Sequence, residues 1–331
     1  MKKILFAMFA VAALASCAQD EIVGKYNQEA IGFGNAFVDN ATKAVVDATD
    51  PSYGTTAKPL NTFKVWGTVK STSNDPVAIF GNGTTGDTVT GTVGANSEWN
   101  CTSKTQYWIE GAKYNFAAVV DGTVKSLGAD LLPKEIEFTA PADGNVDLLY
   151  AKSEQYTGQP TGSNVKVEFT FSHLLSKVKF TVNNNSSTAD GYSFKVYNIV
   201  IVGATKGTCA VPAKTWSEFT DGNVNFAEIN IEDGETSTEC VAEKLLIPTT
   251  VAISFDVDII CNGKTITTTS YPKSGILNHT LVAGNSYNFN INVSVGDPIQ
   301  FTVTTNPTWA NGNTVDGDIP TDGENDYVPA N

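Results

Sequence analysis

Residues 165–182 read Val-Lys-Val-Glu-Phe-Thr-Phe-Ser-His-Leu-Leu-Ser-Lys-Val-Lys-Phe-Thr-Val. Val165, Val167, Phe169 and Phe171 alternate with Lys166, Glu168 and Thr170. After a short apolar turn, Val178, Phe180 and Val182 alternate with Lys177, Lys179 and Thr181. Successive side chains on a strand point to opposite faces, so a period of two puts one face in a core and the other in water. Two such runs in succession decide for antiparallel sheet.

The same pattern extends in both directions. Downstream, Val251, Ile253, Phe255, Val257 and Ile259 alternate with Ala252, Ser254, Asp256 and Asp258. That run ends at Asn262-Gly263, a pair that tolerates positive φ and signals a tight hairpin into the Thr-rich segment after Lys264. Tyr287, Phe289, Ile291, Val293 and Val295 repeat the alternation, and the turn at residues 296–298 leads into Ile299, Phe301 and Val303. Upstream, residues 62–69, 78–80, 114–120, 135–139 and 146–151 read as further strands. Helical spacing is scarce, and the Gly, Asn, Thr and Ser content belongs to turns and strand surfaces. The fold expected is all-β: two tandem antiparallel β-sandwich domains over residues 46–160 and 161–310. A polar stretch at 152–164 supplies the linker. Residues 311–331 are acidic, with little to bury, and are expected to be mobile.

The N-terminus carries a different message. Lys2 and Lys3 precede an apolar run from Ile4 to Ala15, the layout of a secretory signal over residues 1–16 and too short to span a bilayer. Leu14-Ala15-Ser16-Cys17 matches a lipobox, so Cys17 is expected to be lipidated, to become the mature N-terminus and to hold the protein to the outer membrane. Asp20-Glu21 just after it favours the cell surface. The formal charge is −14, and loss of Lys2 and Lys3 with the signal takes it to −16. All 21 basic residues are lysine. A chain this acidic does not grip phosphate backbones, which disfavours nucleic acid. Cys101, Cys209, Cys240 and Cys261 form no CxxC pair. At most one disulfide is expected, with Cys209 and Cys240 as the candidate pair.

Little in the chain points to catalysis. The two histidines, His173 and His279, lie in separate strand-end contexts, and no GxSxG nucleophile motif is present. His173 is read as a packed, hydrogen-bonded turn residue. Two scattered histidines do not make a zinc site, and the Asp-rich stretches after residue 315 lack regular calcium-loop spacing. The glycine-rich segment 81–94 has no lysine and is no phosphate loop. No enzyme activity, cofactor or metal is expected. Among five tryptophans, Trp66 and Trp108 sit in strand-like runs and read as core. Trp99 and Trp216 lie in more polar surroundings and are the candidate glycan contacts.

Segment 165–182, a strand ending in histidine, a short apolar turn and a second strand, resembles the signature of bacterial fimbrillins. Asn27 to Phe33, Phe63-Lys-Val-Trp-Gly67, Trp108 to Phe116, Val146 to Ala151 and Leu281 to Asn292 resemble other parts of that family, in order. The lipobox agrees, because these pilins of Gram-negative anaerobes travel as lipoproteins. The resemblance implies transthyretin-like sandwich domains in a pilus subunit or an accessory anchor or tip protein that serves adhesion. It also implies assembly with other fimbrial subunits by strand exchange, with host or bacterial surface ligands as further partners. In polymerising members a protease removes an N-terminal segment, usually after arginine, and a neighbour's terminal strand fills the groove. The matching position here is Lys43-Ala44, with lysine where arginine is usual. Either a lysine-tolerant enzyme cuts there, within the lipidated segment 17–45 that would then serve as a propeptide, or the chain stays on its lipid. The weakly apolar C-terminus would make a poor donor strand. A non-polymerising surface lipoprotein that binds glycans is the other reading.

Overall fold

A computed structural model of the chain describes residues 29–38, 60, 62–70, 75–91, 99–158, 163–186, 191–272, 275–306 and 315–318, with backbone alone for 35–38 and 315–318. The described residues contain strands and turns and no helix. The strands of the first half are β1 (Gly32–Val38), β2 (Thr62–Lys70), β3 (Val77–Phe80), β4 (Asp87–Gly91), β5 (Trp99–Cys101), β6 (Lys113–Val120), β7 (Thr123–Leu127), β8 (Pro133–Thr139), β9 (Leu149–Lys152) and β10 (Tyr156–Thr157). Then follow β11 (Lys166–His173), β12 (Ser176–Asn184), β13 (Tyr192–Ala210), β14 (Thr215–Asn225), β15 (Ile229–Ile231), β16 (Ser237–Glu239), β17 (Lys244–Leu246), β18 (Thr250–Cys261), β19 (Lys264–Tyr271), β20 (Leu277–Thr280), β21 (Ser286–Val293), β22 (Gln300–Asn306) and β23 (Val315–Asp318).

The expected all-β class holds. The strong alternations became β11, β12, β18 and β21; β11 and β18 expose part of their polar face, whereas the polar positions of β21 are half-buried and β12 buries Ser176, Lys177 and Thr181 as well as its apolar side chains. Asn262 and Gly263 take φ of 47° and 76° in the β18–β19 turn, the left-handed pair that a two-residue hairpin requires.

The first half differs from an open sandwich. Its sheet runs β10-β6-β9-β11-β1-β5-β4-β2-β3, and β6 also pairs with β2. That last pairing closes seven strands, β6-β9-β11-β1-β5-β4-β2, into a ring. Phe33, Phe63, Phe80, Trp99, Phe116, Phe169 and Phe171 fill it. The second half is a sandwich of β16-β12-β21-β22-β23 on β19-β18-β13, around Phe180, Phe194, Phe255, Phe289 and Phe301. Two pairs are parallel, β1 with β11 and β12 with β21, where antiparallel sheet alone was expected.

The boundary expected near residue 160 does not separate the sheets. β11 lies beyond it yet pairs with β1 and β9 in the ring. β7 and β8 lie before it yet extend the sheet of β13, through Ile136↔Cys209 and its neighbours. A third core, containing Trp66, Leu132, Phe138, Tyr150, Leu174, Leu175, Cys209 and Ile247, fills the space between ring and sandwich. The physical reason is that β2, β6 and β9 are apolar on both faces, one turned into the ring and one outward. Sequence periodicity does not say what covers an outward apolar face. The tail expected to be mobile contributes β23, paired antiparallel with β22 from Thr302↔Asp318 to Thr305↔Val315.

Candidate functional site

The ring depends on a strand contributed by the extreme N-terminal part of the described chain. β1 lies between β11 and β5. It runs parallel to β11 through Gly32↔Lys166, Phe33↔Val167, Ala36↔Phe169, Phe37↔Thr170 and Val38↔Phe171. Against β5 it makes a single pairing, Phe33↔Trp99. Upstream, Ile31 N–H donates to the Gln106 carbonyl at 2.7 Å and Trp108 N–H to the Glu29 carbonyl at 3.0 Å, which extends the seam by two backbone bonds.

Phe33 is the strand's plug. Its ring is 1% exposed, with centroids 5.4 Å from Phe80, 6.2 Å from Phe63 and Phe169, and 6.4 Å from Phe116. Removing β1 would open a slot along β11 lined by these rings and leave the ladder groups of β11 unpaired. Gly34 stands close to the neighbouring strand: a Cβ there would come 3.1 Å from Glu168 Cγ.

Behind this strand, β11 ends in a buried hydrogen-bonded pair. His173 Nδ1 lies 2.6 Å from Asp147 Oδ2, with side chains 3% and 2% exposed. Burial pushes the Asp147 carboxyl above its usual range, against the pull of His173, and its Oδ1 has no hydrogen-bond partner. The turn that follows is tied down on three sides. Leu174 N–H donates to the Leu148 carbonyl at 3.0 Å, Gly284 N–H donates to the Leu175 carbonyl at 2.8 Å, and Trp216 Nε1–H donates to the Leu174 carbonyl at 3.0 Å. Ring and sandwich therefore meet at His173-Leu174-Leu175. The reading of His173 as a packed turn residue agrees with this geometry, but its partner Asp147 was not anticipated. An acidic residue between Val146 and Leu148, in an otherwise apolar run, was the available signal.

The other candidate residues fare differently. Cys17, Lys43 and Ala44 lie outside the described residues. Cys209 and Cys240 are free thiols in different cores. Cys209 sits in the layer between ring and sandwich, where burial pushes its thiol up to about 12. Cys240 packs against the sandwich core, where its sulfur accepts from Phe180 N–H at 3.3 Å. The expected pair is thus not bridged, because β13 and the residues after β16 bury their sulfurs in separate layers. Trp99 is 2% exposed, inside the ring, 5.3 Å from Phe63, so it offers no face to a sugar. Trp216 is half-buried with its N–H already committed to Leu174. Trp66 and Trp108 are core as expected. No group of three or more His, Cys, Asp or Glu among the described residues is placed to hold a metal.

The sequence model of the fimbrillin-like family matches residues 42–309. The chain belongs to that family. The matched span begins four residues after β1 of this fimbrillin ends. Among solved structures, it is similar to a fimbrial protein from Bacteroides vulgatus, at 14% identity and a TM-score of 0.57, over 85% of this chain and 99% of that one. It is also similar to a protein described as a cell adhesion candidate from Bacteroides uniformis, at 15% identity and a TM-score of 0.46, over 86% and 99% of the two chains. The fimbrial anchor protein Mfa2 from Porphyromonas gingivalis matches at 10% identity and a TM-score of 0.32, over 77% and 90%. Of these three, the first establishes a shared fold. No curated protein matches this fimbrillin.

Proposed function

We propose that this fimbrillin is a surface lipoprotein, held to the outer membrane through Cys17, that serves as a structural or accessory component of a pilus in adhesion. One observation carries the reading. β1 completes the ring with the buried Phe33 and one pairing to β5, and Lys43-Ala44 follows its last residue closely in the sequence. A cut after Lys43 would separate β1 from everything it plugs. The vacated slot would present unpaired ladder groups beside an apolar groove, the arrangement that a donor strand from another subunit completes. Uncut, β1 stays in its own ring and the lipid on Cys17 keeps the protein on the membrane as an anchor or other accessory subunit.

N-terminal analysis of the surface protein, combined with crosslinking in gentle membrane extracts, tests this. Co-purification with heat-stable polymer is expected. A start at acylated Cys17 assigns an anchored role, and a start at Ala44 assigns a shaft subunit. A protein that is always a monomer, with no pilus partner in crosslinking, would overturn the reading. The glycan-binding alternative keeps only Trp216 of its two supports.

A further inference from the structure

The sandwich core is not closed all round. Most of its side chains are buried, but Ile259, Tyr271, Val295 and Ile299 pack against it while only half-buried. Three of these gather at one edge, where β19 ends the sheet of β18 and β13. There Val257, Ile259, Thr269, Tyr271 and Ile299 line a slot of about 30 Å³ between the two sheets. At one end of it Ser294 Oγ donates to Asp297 Oδ2 at 2.9 Å. Near the other, Tyr271 of β19 stacks on Phe301 of β22, with centroids 6.4 Å apart. Apolar side chains left facing water at a core's edge gain stability from a cover.

The facing sheet runs one strand past β22, to β23. β23 is antiparallel to β22, with Thr305↔Val315, Val303↔Gly317 and Thr302↔Asp318. One more rung in the same register sets residue 319 opposite Phe301. Partners across an antiparallel ladder share a face, and Phe301 is fully buried on the core face. Residue 319 lies outside the described residues. It is isoleucine, the first apolar residue after Val315, whereas Asp316 and Asp318 hold the alternate positions opposite Thr304 and Thr302. Pro320 follows it. A residue before proline is biased to extended backbone, which favours carrying the strand through Ile319. Proline then ends the ladder, because it has no N–H to give.

We propose that Ile319 fills this slot, so that the chain's own C-terminal segment closes the sandwich over β19. The occupant is one residue beyond a strand already paired to β22, next to the side chains it would cover. Its attachment holds it at a high effective concentration, an advantage that a separate molecule lacks. The match is also chemical, an aliphatic side chain against Val257, Ile259, Ile299 and the Tyr271 ring. This inference goes beyond the fimbrial reading and does not depend on it.

The test labels thiols in the full-length chain with a maleimide and reads each site by peptide mass spectrometry, relative to its own rate in urea. I319C should react at least about tenfold more slowly than E324C, the protection of a side chain reached only by local opening. That protection should hold across an about hundredfold dilution, because a contact within one chain does not respond to concentration. T269F, which fills the slot from β19, should bring I319C up to the rate of E324C. Cys209 is buried and should stay unlabelled throughout, which shows that the fold survives. T269L is the smaller filling to use if T269F exposes Cys209. Labelling of I319C as fast as E324C overturns the proposal. Protection that fades on dilution also overturns it, by assigning the contact to a second copy. Protection indifferent to filling the slot overturns it too, by placing Ile319 elsewhere.

Discussion

At the scale of single residues, two side chains hold the candidate site. Phe33 fills the ring from a strand with five pairings to β11 and one to β5, so its buried ring adds to the β11 ladder in keeping β1 in place. Phe33→Ala should cost about 3–5 kcal/mol, the usual penalty for emptying a buried aromatic site, read as a shift in the urea midpoint. The His173–Asp147 pair is the second. Removing His173 takes the hydrogen-bond partner from a buried carboxyl, which costs about 1–3 kcal/mol and more when the carboxyl is charged, so His173→Leu should destabilise at neutral pH. The sign with pH follows from Asp147. Burial raises its folded pKa above the unfolded value of 3.8, so the folded state holds the proton more tightly and loses stability as pH rises through that window. Once His173 is gone, less opposes that raise. The deficit of His173→Leu relative to wild type should therefore shrink between pH 7.5 and pH 4.5 in thermal melts. An equal deficit at both would show that Asp147 is not the group left exposed to burial.

At the scale of elements, β1 is separable in principle because, among the described residues, it is the first strand of the chain. Deleting residues 29–38 should leave a protein that binds a hydrophobic dye through the vacated slot. A synthetic peptide of residues 29–38 added in trans should bind and quench that signal, while the same peptide with Phe33→Ala should not. A deletion variant that neither binds dye nor takes up peptide would mean that the ring collapses over the gap. Parts of this element arrangement were legible in the sequence. The alternations in β11, β12, β18 and β21 announced themselves because each buries one face against one core. The Asn262-Gly263 turn was legible from its chemistry alone. β1 was not read as a strand, because Gly32-Phe-Gly-Asn-Ala-Phe-Val38 lacks alternation and its glycines read as turn. Its parallel pairing was equally hidden, since no local signal marks which distant strand a short segment will join.

At the scale of the molecule, the third core decides behaviour. Trp66 and Tyr150 from the ring, Phe138 from β8 and Cys209 from β13 meet in one apolar layer, so the two halves should not melt independently. One cooperative transition is expected in calorimetry. A fragment ending at residue 160, the boundary that the polar stretch invites, should not fold. It lacks Val167, Phe169 and Phe171, which β11 contributes to the ring core, and it strands β7 and β8 without β13. Dispersed amide resonances from residues 46–160 alone would refute this. The sequence concealed the dependence for a physical reason. Polarity marks where a chain is exposed between elements, whereas sheet membership is set by pairing across the fold. Of the candidate site the sequence yielded His173 as a packed, hydrogen-bonded residue, while β1 and Asp147 went unread, and the lipobox and Lys43 lie outside the described residues.

The parallel run of β1 against β11 has a mechanical meaning. Tension applied at the N-terminus pulls β1 backwards along its own direction, while the rest of the chain, continuing from the end of β11 into β12, pulls the opposite way. The two strands are then loaded in shear, and all five paired positions share the force at once. An antiparallel hairpin tugged at its open end would instead unzip one rung at a time. Were the chain tethered through Cys17 as proposed, a pull on the rest of it would load this pair of strands in shear.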